Sequence, residues 1–141
     1  MEFNFATLWE RTADLIPNKT AIICGDEEKT WGEYENVSAK LATALIDAGL
    51  TTYSKAGLYL HNSNEYLEAQ FSIFKIGGTP INVNYRYKSE ELLYLLDNSD
   101  CEALFYQACY GDQINKIKDL LPKIKAWIEV ADGSDSVVEN C

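Results

Sequence analysis

The paired glycines Gly77-Gly78 are the feature of this sequence that most resembles a phosphate-binding loop. Such loops place glycines between a strand and the helix that follows it, because a helix N-terminus offers free N–H groups and the positive end of a dipole. Here the order is reversed, since residues 63–76 predict a helix and residues 79–83 a strand. The glycines would then lie at the negative end of a helix. The sequence predicts a helix stop and a tight turn rather than a phosphate site.

Two other groups of polar residues follow predicted strands, where ligands of open α/β sheets bind. His61, the single histidine of the chain, ends one such strand. A histidine without an evident partner is a weak acid–base candidate, so a structural role is favoured. Arg86 follows the next strand and is suited to a carboxylate or a phosphate. The loop that carries it contains Asn82, Asn84, Tyr85 and Arg86.

Acidic residues close to Arg86 offer a plainer interpretation of this arginine. Glu90 and Glu91 resemble a catalytic carboxylate pair, but both fall in the first turn of a predicted helix, where negative charge stabilises the helix dipole. Either of them is placed to pair with Arg86, and that structural role is favoured over ligand binding. We assign no catalytic residue to this segment.

The cysteines form neither a zinc pattern nor a disulfide framework. None is part of a C-x-x-C pair, and His61 is far from all of them in sequence. We interpret them as buried or incidental thiols in a reducing cytoplasm, and the terminal one as an exposed free thiol. They are Cys24, Cys101, Cys109 and Cys141.

The amino-terminal third of the chain predicts two helices around a β-hairpin. Apolar residues at helical spacing predict a first helix that ends at Pro17. Residues 20–31 then predict a hairpin with its turn at Gly25-Asp26. Thr30 and Glu33 have the spacing of a capping box, so a second helix is expected to start there and to end at Gly49.

Strands and helices alternate along the rest of the chain. Ser63 and Ser89 are the expected N-caps of two of the helices, and Pro122 is expected to stop the last one. Because strand starts recur at the shortest workable strand–helix–strand spacing, the alternation predicts an α/β fold with a mainly parallel sheet, flanking helices and an N-terminal β-hairpin. The predicted strands are 56–61, 79–83, 101–106 and 126–130, and the predicted helices are 63–76, 89–99 and 112–121.

Composition limits the classes of partner. The 141 residues include 22 acidic and 12 basic side chains, for a net charge of -10. This balance argues against binding to nucleic acid or to an anionic membrane. No apolar run reaches the ~20 residues of a membrane helix, and the first residues have no signal-type pattern, so we expect a cytoplasmic protein. The basic cluster is interpreted as a solvated helix face and contains Lys116, Lys118, Lys123 and Lys125.

Taken in order, two blocks of the sequence resemble the opening of the adenylate-forming (AMP-binding) enzymes. The first block is PNKTAIICGDEEKTWGEYENVSAKLATALIDAGL, where Thr30, Trp31, Glu33 and Tyr34 match the family's helix start. The second is LYLHNSNEYLEAQFSIFKIGGTPINVNYRYKSEELLYLLDNSD, which is closest to fatty-acyl-CoA and sterol-side-chain acyl-CoA synthetases. The resemblance covers about residues 5–131. It departs from the family at Tyr53-Ser54, where a Gly-Asp turn is usual.

The resemblance implies an N-terminal segment of an enzyme that joins a carboxylic acid to ATP and passes the acyl group to CoA, with magnesium. The family's phosphate loop and its other catalytic motifs lie downstream of these two blocks. No catalytic, cofactor-binding or metal residue therefore transfers to this chain, and we expect the chain alone to be inactive. We expect residues 1–131 to form the partial synthetase subdomain and residues 132–141 an acidic flexible tail.

Two alternatives to an enzyme fragment stay open at this point. The first is a non-catalytic assembly module, which docks on a chain that supplies the remaining synthetase segments or self-associates through exposed apolar surface. The second is an independent flavodoxin-like domain. The position of the glycines counts against the second alternative, because no strand leads into a glycine-rich helix start.

Overall fold

A computed structural model describes residues 4–141. Within this range, five α-helices and six strands follow one another, with short 3₁₀ turns at Ala108–Tyr110 and Lys118–Leu120. They are α1 (Phe5–Leu15), β1 (Thr20–Cys24), β2 (Glu27–Thr30), α2 (Trp31–Asp47), β3 (Lys55–Tyr59), α3 (Asn64–Lys75), β4 (Thr79–Asn82), α4 (Ser89–Asn98), β5 (Ala103–Gln107), α5 (Gly111–Ile117) and β6 (Ala126–Val130).

The strands form two separate sheets. β1 and β2 make an antiparallel hairpin. The other four strands are parallel, in the order β4-β3-β5-β6. The chain therefore crosses over β3 between β4 and β5, which leaves β3 beside both of them. The predicted fold class is confirmed.

Helices cover both faces of the parallel sheet. α2 and α3 pack on one face, where Leu45 and Ile73 meet the side chains of Leu58 and Phe105 in one apolar cluster. α4 and α5 pack on the other face, in a second cluster. Parallel sheets are stable when both faces are covered, and the apolar strands of this sequence meet that requirement.

A third apolar cluster joins the N-terminal elements to the outer side of α3. The Trp9 ring meets the Phe71 ring edge-on, with 5.1 Å between their centroids. Tyr34 lies 4.9 Å from the same ring and donates its hydroxyl to the Leu67 carbonyl at 3.0 Å. The hairpin is also tied to α3 by an ion pair between Lys29 and the buried Glu68.

The predicted N-caps of α2 and α3 are found in the structure, whereas that of α4 is not. Thr30 accepts from the Glu33 amide, and the Glu33 carboxylate accepts from the Thr30 amide, so the capping box is confirmed. Ser63 caps α3 as predicted. The prediction that Ser89 caps α4 is wrong. Lys88 holds that position, because the carboxylate of Glu91 accepts from the Lys88 amide at 2.6 Å.

The last helix is shorter than predicted. α5 ends at Ile117, and a 3₁₀ turn replaces its expected last residues. Proline has no N–H and a fixed φ, so the chain before Pro122 tightens instead of continuing the helix.

The segment after β6 folds back onto α5. Val138 is buried in the apolar cluster beneath α4 and α5. The Asn115 side chain donates to the Val137 carbonyl at 2.8 Å. The division of the chain at residue 131 and the flexibility of residues 132–141 stay predictions. No helix within residues 4–141 combines the length and the apolar character needed to span a bilayer.

Candidate functional site

The candidate site lies at the carboxyl edge of the parallel sheet. β4, β3 and β5 are adjacent and parallel, so the loops that follow them emerge side by side. β3 leads to His61, β4 to Tyr85 and Arg86, and β5 to Tyr110. The strand order thus brings together residues from three separate parts of the sequence.

His61 is the centre of this edge. Its Nε2 lies 2.7 Å from the hydroxyl oxygen of Tyr110. The ring of Tyr85 meets the imidazole edge-on, with 4.6 Å between centroids and 75° between planes. The backbone N–H of His61 donates to the side-chain oxygen of Gln107 at 2.9 Å. The imidazole is exposed to solvent, but its position is fixed from three sides.

A buried tyrosine, Tyr59, packs beneath the exposed residues of this edge. The ring of Tyr59 lies 4.3 Å from that of Tyr110, and its hydroxyl donates to the Tyr87 carbonyl at 2.7 Å. Burial raises the pKa of Tyr59 to about 12, and burial also raises the pKa of Tyr110. Both phenols are therefore protonated at neutral pH, and the phenol of Tyr59 is a hydrogen-bond donor.

Arg86 brings a cationic group to this edge. Its guanidinium carbon lies 5.4 Å from the centroid of the Tyr85 ring, a cation–π contact. The backbone N–H of Arg86 donates to Asn84 at 3.0 Å, which fixes the turn. The ion pairs found among residues 4–141 do not include Arg86 with Glu90 or Glu91. The expected pairing is thus not formed, and the charge of Arg86 faces solvent.

Of the other sequence-predicted candidates, the paired glycines lie at the opposite edge of the sheet, whereas Asn82 ends β4 and Glu90 and Glu91 lie in the helix that follows it. Gly77 ends α3 with a φ of 74°, and Gly78 donates to the Ile73 carbonyl at 2.9 Å, at the amino edge of the sheet. Their interpretation as a helix stop is confirmed. Glu90 and Glu91 lie in the first turn of α4, as predicted. Asn82 accepts a hydrogen bond from Tyr66.

The four cysteines are free thiols, and Cys141 is exposed, as predicted. Cys101 is buried, and burial raises its pKa to about 11. Burial and the carboxylate of Asp132 raise the pKa of Cys109 to about 11 as well. Among the residues that the structure describes, no three histidine, cysteine or acidic side chains are grouped as metal ligands.

This arrangement is suited to binding. The edge presents one imidazole, neutral phenols and one unpaired guanidinium, which can hold an anionic or planar group. Nucleophilic catalysis needs an activated nucleophile beside its base. The phenol of Tyr110, which lies beside His61, is poorly suited to that role, because burial raises its pKa. Open apolar grooves lie nearby, including one of about 270 Å³ between β1 and α3.

Sequence reasoning missed Tyr110 and Gln107. Gln107 ends β5 and Tyr110 follows it, so the rule that pointed to the loops after β3 and β4 would also have pointed to them. The missing information was the strand order. Until β5 is known to lie beside β3, nothing in the sequence places Tyr110 next to His61 rather than at a distant part of the edge.

Comparison with known proteins gives the context of this edge. The family profile described as "AMP-binding enzyme" matches residues 9–140. A medium/long-chain-fatty-acid–CoA/3-oxocholest-4-en-26-oate–CoA ligase of Mycobacterium marinum is 42% identical over 132 residues, which is 94% of this chain and 24% of that protein. A 3-oxocholest-4-en-26-oate–CoA ligase of Rhodococcus rhodochrous is 37% identical over 135 residues, 96% of this chain and 24% of that protein.

Solved structures show the same fold. An anthranilate CoA ligase in complex with anthranoyl-AMP superposes with a TM-score of 0.85 at 25% identity, over 91% of this chain and 25% of that one. The N-terminal domain of FACL13 from Mycobacterium tuberculosis has a TM-score of 0.84 at 19% identity, over 99% and 38% of the two chains. This chain spans about a quarter (24%) of the length of the curated relatives quoted above.

Proposed function

This chain belongs to the AMP-binding enzyme family, and from that premise we propose that it serves as the N-terminal α/β subdomain of an AMP-forming acyl-CoA synthetase. The whole enzyme would join a fatty acid or a similar carboxylate to ATP and then pass the acyl group to CoA, with magnesium. The observation that carries the proposal is the family match over residues 9–140. The relatives' names support the substrate class.

We propose that the 141 residues alone do not catalyse adenylation. Transfer chemistry at phosphates depends on donors and cations held around the reacting group. The sequence contains no strand–glycine loop–helix segment to hold phosphates, and the carboxyl edge offers the guanidinium of Arg86 beside aromatic side chains. In the proposed enzyme, the role of this chain is to present that edge to the segments that carry the reaction.

Two assays with matched proteins test these statements. The isolated chain is expected to show no ATP–pyrophosphate exchange with fatty acids, and clear exchange would contradict its proposed inactivity. A chimera in which residues 9–140 replace the matching part of the Mycobacterium marinum ligase is expected to fold and to catalyse exchange. The unmodified ligase is the positive control. A folded but inactive chimera would contradict the proposed subdomain role.

A second candidate function is a non-catalytic assembly module. It is supported by the half-buried strand β6 at one edge of the sheet, which leaves apolar side chains for a partner. The partner would be the remaining synthetase segments on another chain, or a second copy of this chain. We also propose a cytoplasmic location, supported by the four free thiols and the acidic composition.

A further inference from the structure

The first helix, α1, buries little of its own surface. Of its 11 residues, only Ala6 and Ala13 are buried. Three of its apolar side chains are exposed, namely Phe5, Leu8 and Leu15. An element with so few buried apolar contacts belongs to the low-stability part of a fold, where segments open locally without global unfolding.

The chain that follows α1 is fixed, which gives the helix a definite boundary. The backbone N–H of Gly32 donates to the Pro17 carbonyl at 2.9 Å, and that of Trp31 donates to the Lys19 carbonyl at 2.9 Å. These bonds hold the chain from Pro17 onward against the start of α2. A movement of α1 would therefore pivot at Ile16, the residue that caps its C-terminus.

An ion cluster centred on Lys75 links α1 to two other helices. Nζ of Lys75, at the end of α3, lies 2.6 Å from Oε1 of Glu10 in α1 and 2.6 Å from Oε1 of Glu35 in α2. The lysine side chain is 10% exposed, and its ammonium lies 4.8 Å from the centroid of the Phe71 ring. A cation in such a place is stable only while a counter-charge stays beside it.

The two carboxylates of this cluster are not equivalent. Both bind the same ammonium, so they lie close together, and their combined charge exceeds that of Lys75. Oε2 of Glu35 is buried and has no hydrogen-bond partner in the part of the chain that the structure describes. The repulsion between the carboxylates therefore opposes the attraction of Lys75 for Glu10. If α1 moves away, Glu10 leaves with it, whereas Lys75 keeps Glu35 as its counter-charge.

We propose that α1 is a strap that opens and closes on α2 and α3 as a unit, and that Lys75 sets the balance between the two forms. Glu10 holds the strap closed. Glu35 favours opening, because it repels Glu10 in the closed form and compensates the lysine in the open form. The sheet and the other helices stay folded in both forms.

Opening of the strap changes the surface beside α3. The ring of Trp9 packs against those of Phe71 and Phe74, with centroids 5.1 Å and 5.7 Å apart. Phe71 is fully buried while the strap is closed. Both phenylalanine rings lose the cover of Trp9 when α1 moves away. The strap therefore controls access to the aromatic cluster on the outer side of α3.

The experiment is native-state hydrogen exchange of the full chain, followed by NMR at the amides of residues 10–13 in α1 and at those of β3 and β5. The α1 amides are expected to exchange through an opening that leaves β3 and β5 protected. Glu10→Gln is expected to raise the opening constant of α1 about threefold to fivefold, because an ion pair is lost. Glu35→Gln is expected to lower it about twofold, because the repulsion is lost.

Two further variants complete the series. Lys75→Met leaves the two carboxylates to repel each other, so it is expected to raise the opening constant more than Glu10→Gln does. Asp14→Asn is the matched control, because it removes an exposed carboxylate of α1 that is outside the ion pairs of the described residues. Its opening constant is expected to stay within about twofold of the wild type. Circular dichroism identifies any variant that fails to fold, and the opposite shifts of Glu10→Gln and Glu35→Gln decide without Lys75→Met.

Each other outcome overturns the proposal. If the α1 amides exchange only together with those of β3 and β5, α1 is not a separate unit. A higher opening constant in Glu35→Gln shows that both carboxylates hold the helix closed. An unchanged constant in Glu10→Gln, or an equal change in Asp14→Asn, shows that Lys75 does not set the balance. None of these results bears on the ATP–pyrophosphate assays, so the two proposals fail independently.

Discussion

The two ends of the parallel sheet are built in different ways. The amino end is closed by glycine turns and ion pairs, in which Lys123 lies 2.7 Å from Asp100 and Lys125 lies 2.5 Å from Glu102. The carboxyl end carries His61 and Arg86, exposed and outside the ion pairs of the described residues. The contrast indicates that the charged groups of the amino end stabilise the fold, whereas the side chains of His61 and Arg86 at the carboxyl end are free for a ligand.

The largest expected effect is at the amino end, from Gly78→Ala. An added Cβ would lie 2.8 Å from the Ser54 carbonyl oxygen, which is backbone and cannot move aside cheaply. We expect a loss of about 2–3 kcal/mol in the free energy of unfolding, in the upper range for overpacking. Urea denaturation measures it.

Gly25→Ala is the control for this substitution. Gly25 has a φ of 60°, but an added Cβ there would meet nothing within 4 Å. The expected cost is conformational and about 1 kcal/mol. If the two variants lose equal stability, the close packing of Gly78 against Ser54 is not what constrains this turn.

The next effect is at the carboxyl end and depends on pH. The folded-state pKa of Tyr59 is raised to about 12, above its ordinary value of 10.0. The stability linked to its protonated form is fully present below pH 10.0 and is lost as pH rises through about 12. Between pH 10.0 and about 12, the free energy of unfolding of Tyr59→Phe is therefore expected to fall less than that of the wild type. Urea denaturation at successive pH values measures both.

At neutral pH, Tyr59→Phe is expected to cost about 1 kcal/mol, because the hydrogen bond to the Tyr87 carbonyl is lost. Tyr94→Phe is the matched control, since Tyr94 is 70% exposed. If the free energy of unfolding of Tyr59→Phe falls with rising pH as steeply as that of the wild type, another group causes the loss of stability at alkaline pH.

A smaller effect is expected from the amino-end ion pairs. Hydrogen bonding to Lys123 lowers the pKa of Asp100, and the same bond raises the pKa of Lys123. The contribution of Asp100 is present above its ordinary pKa and is lost as pH falls through the lowered value. Both groups are exposed, so Lys123→Ala should lower the melting temperature slightly, and high salt should remove the difference. A difference that persists in high salt would indicate lost packing instead.

The smallest effect on stability is expected from the ligand-facing residues. His61→Ala and Arg86→Ala remove exposed side chains and should change the free energy of unfolding by no more than about 0.5 kcal/mol. Thermal and urea denaturation of both variants check this. A loss comparable with that of Gly78→Ala would mean that the carboxyl end is as structural as the amino end, and the contrast between them would not hold.

Much of the fold could be predicted from local patterns. The capping box at Thr30, the stop at Gly77-Gly78 and the alternation of strands with helices depend on residues close in sequence. The N-cap of α4 differs from the sequence prediction for a physical reason: the Glu91 carboxylate accepts from the Lys88 amide, so the helix starts one residue earlier than it would with Ser89 as the N-cap. Two neighbouring residues compete here for the N-cap position, and the local backbone geometry decides between them. Residue type alone does not reveal that geometry.

The class of the fold, the family resemblance and the loops after β3 and β4 can be recognised from local sequence patterns. Which loops meet at the carboxyl edge depends on the tertiary structure. His61 and Tyr110 are 49 positions apart and come together because β5 pairs with β3 after the chain has crossed it. The burial of Val138 against α5 could likewise not be predicted, because the residues around it are acidic and have no periodic pattern. Side-chain periodicity is local, whereas strand order and core contacts depend on how all the elements pack together.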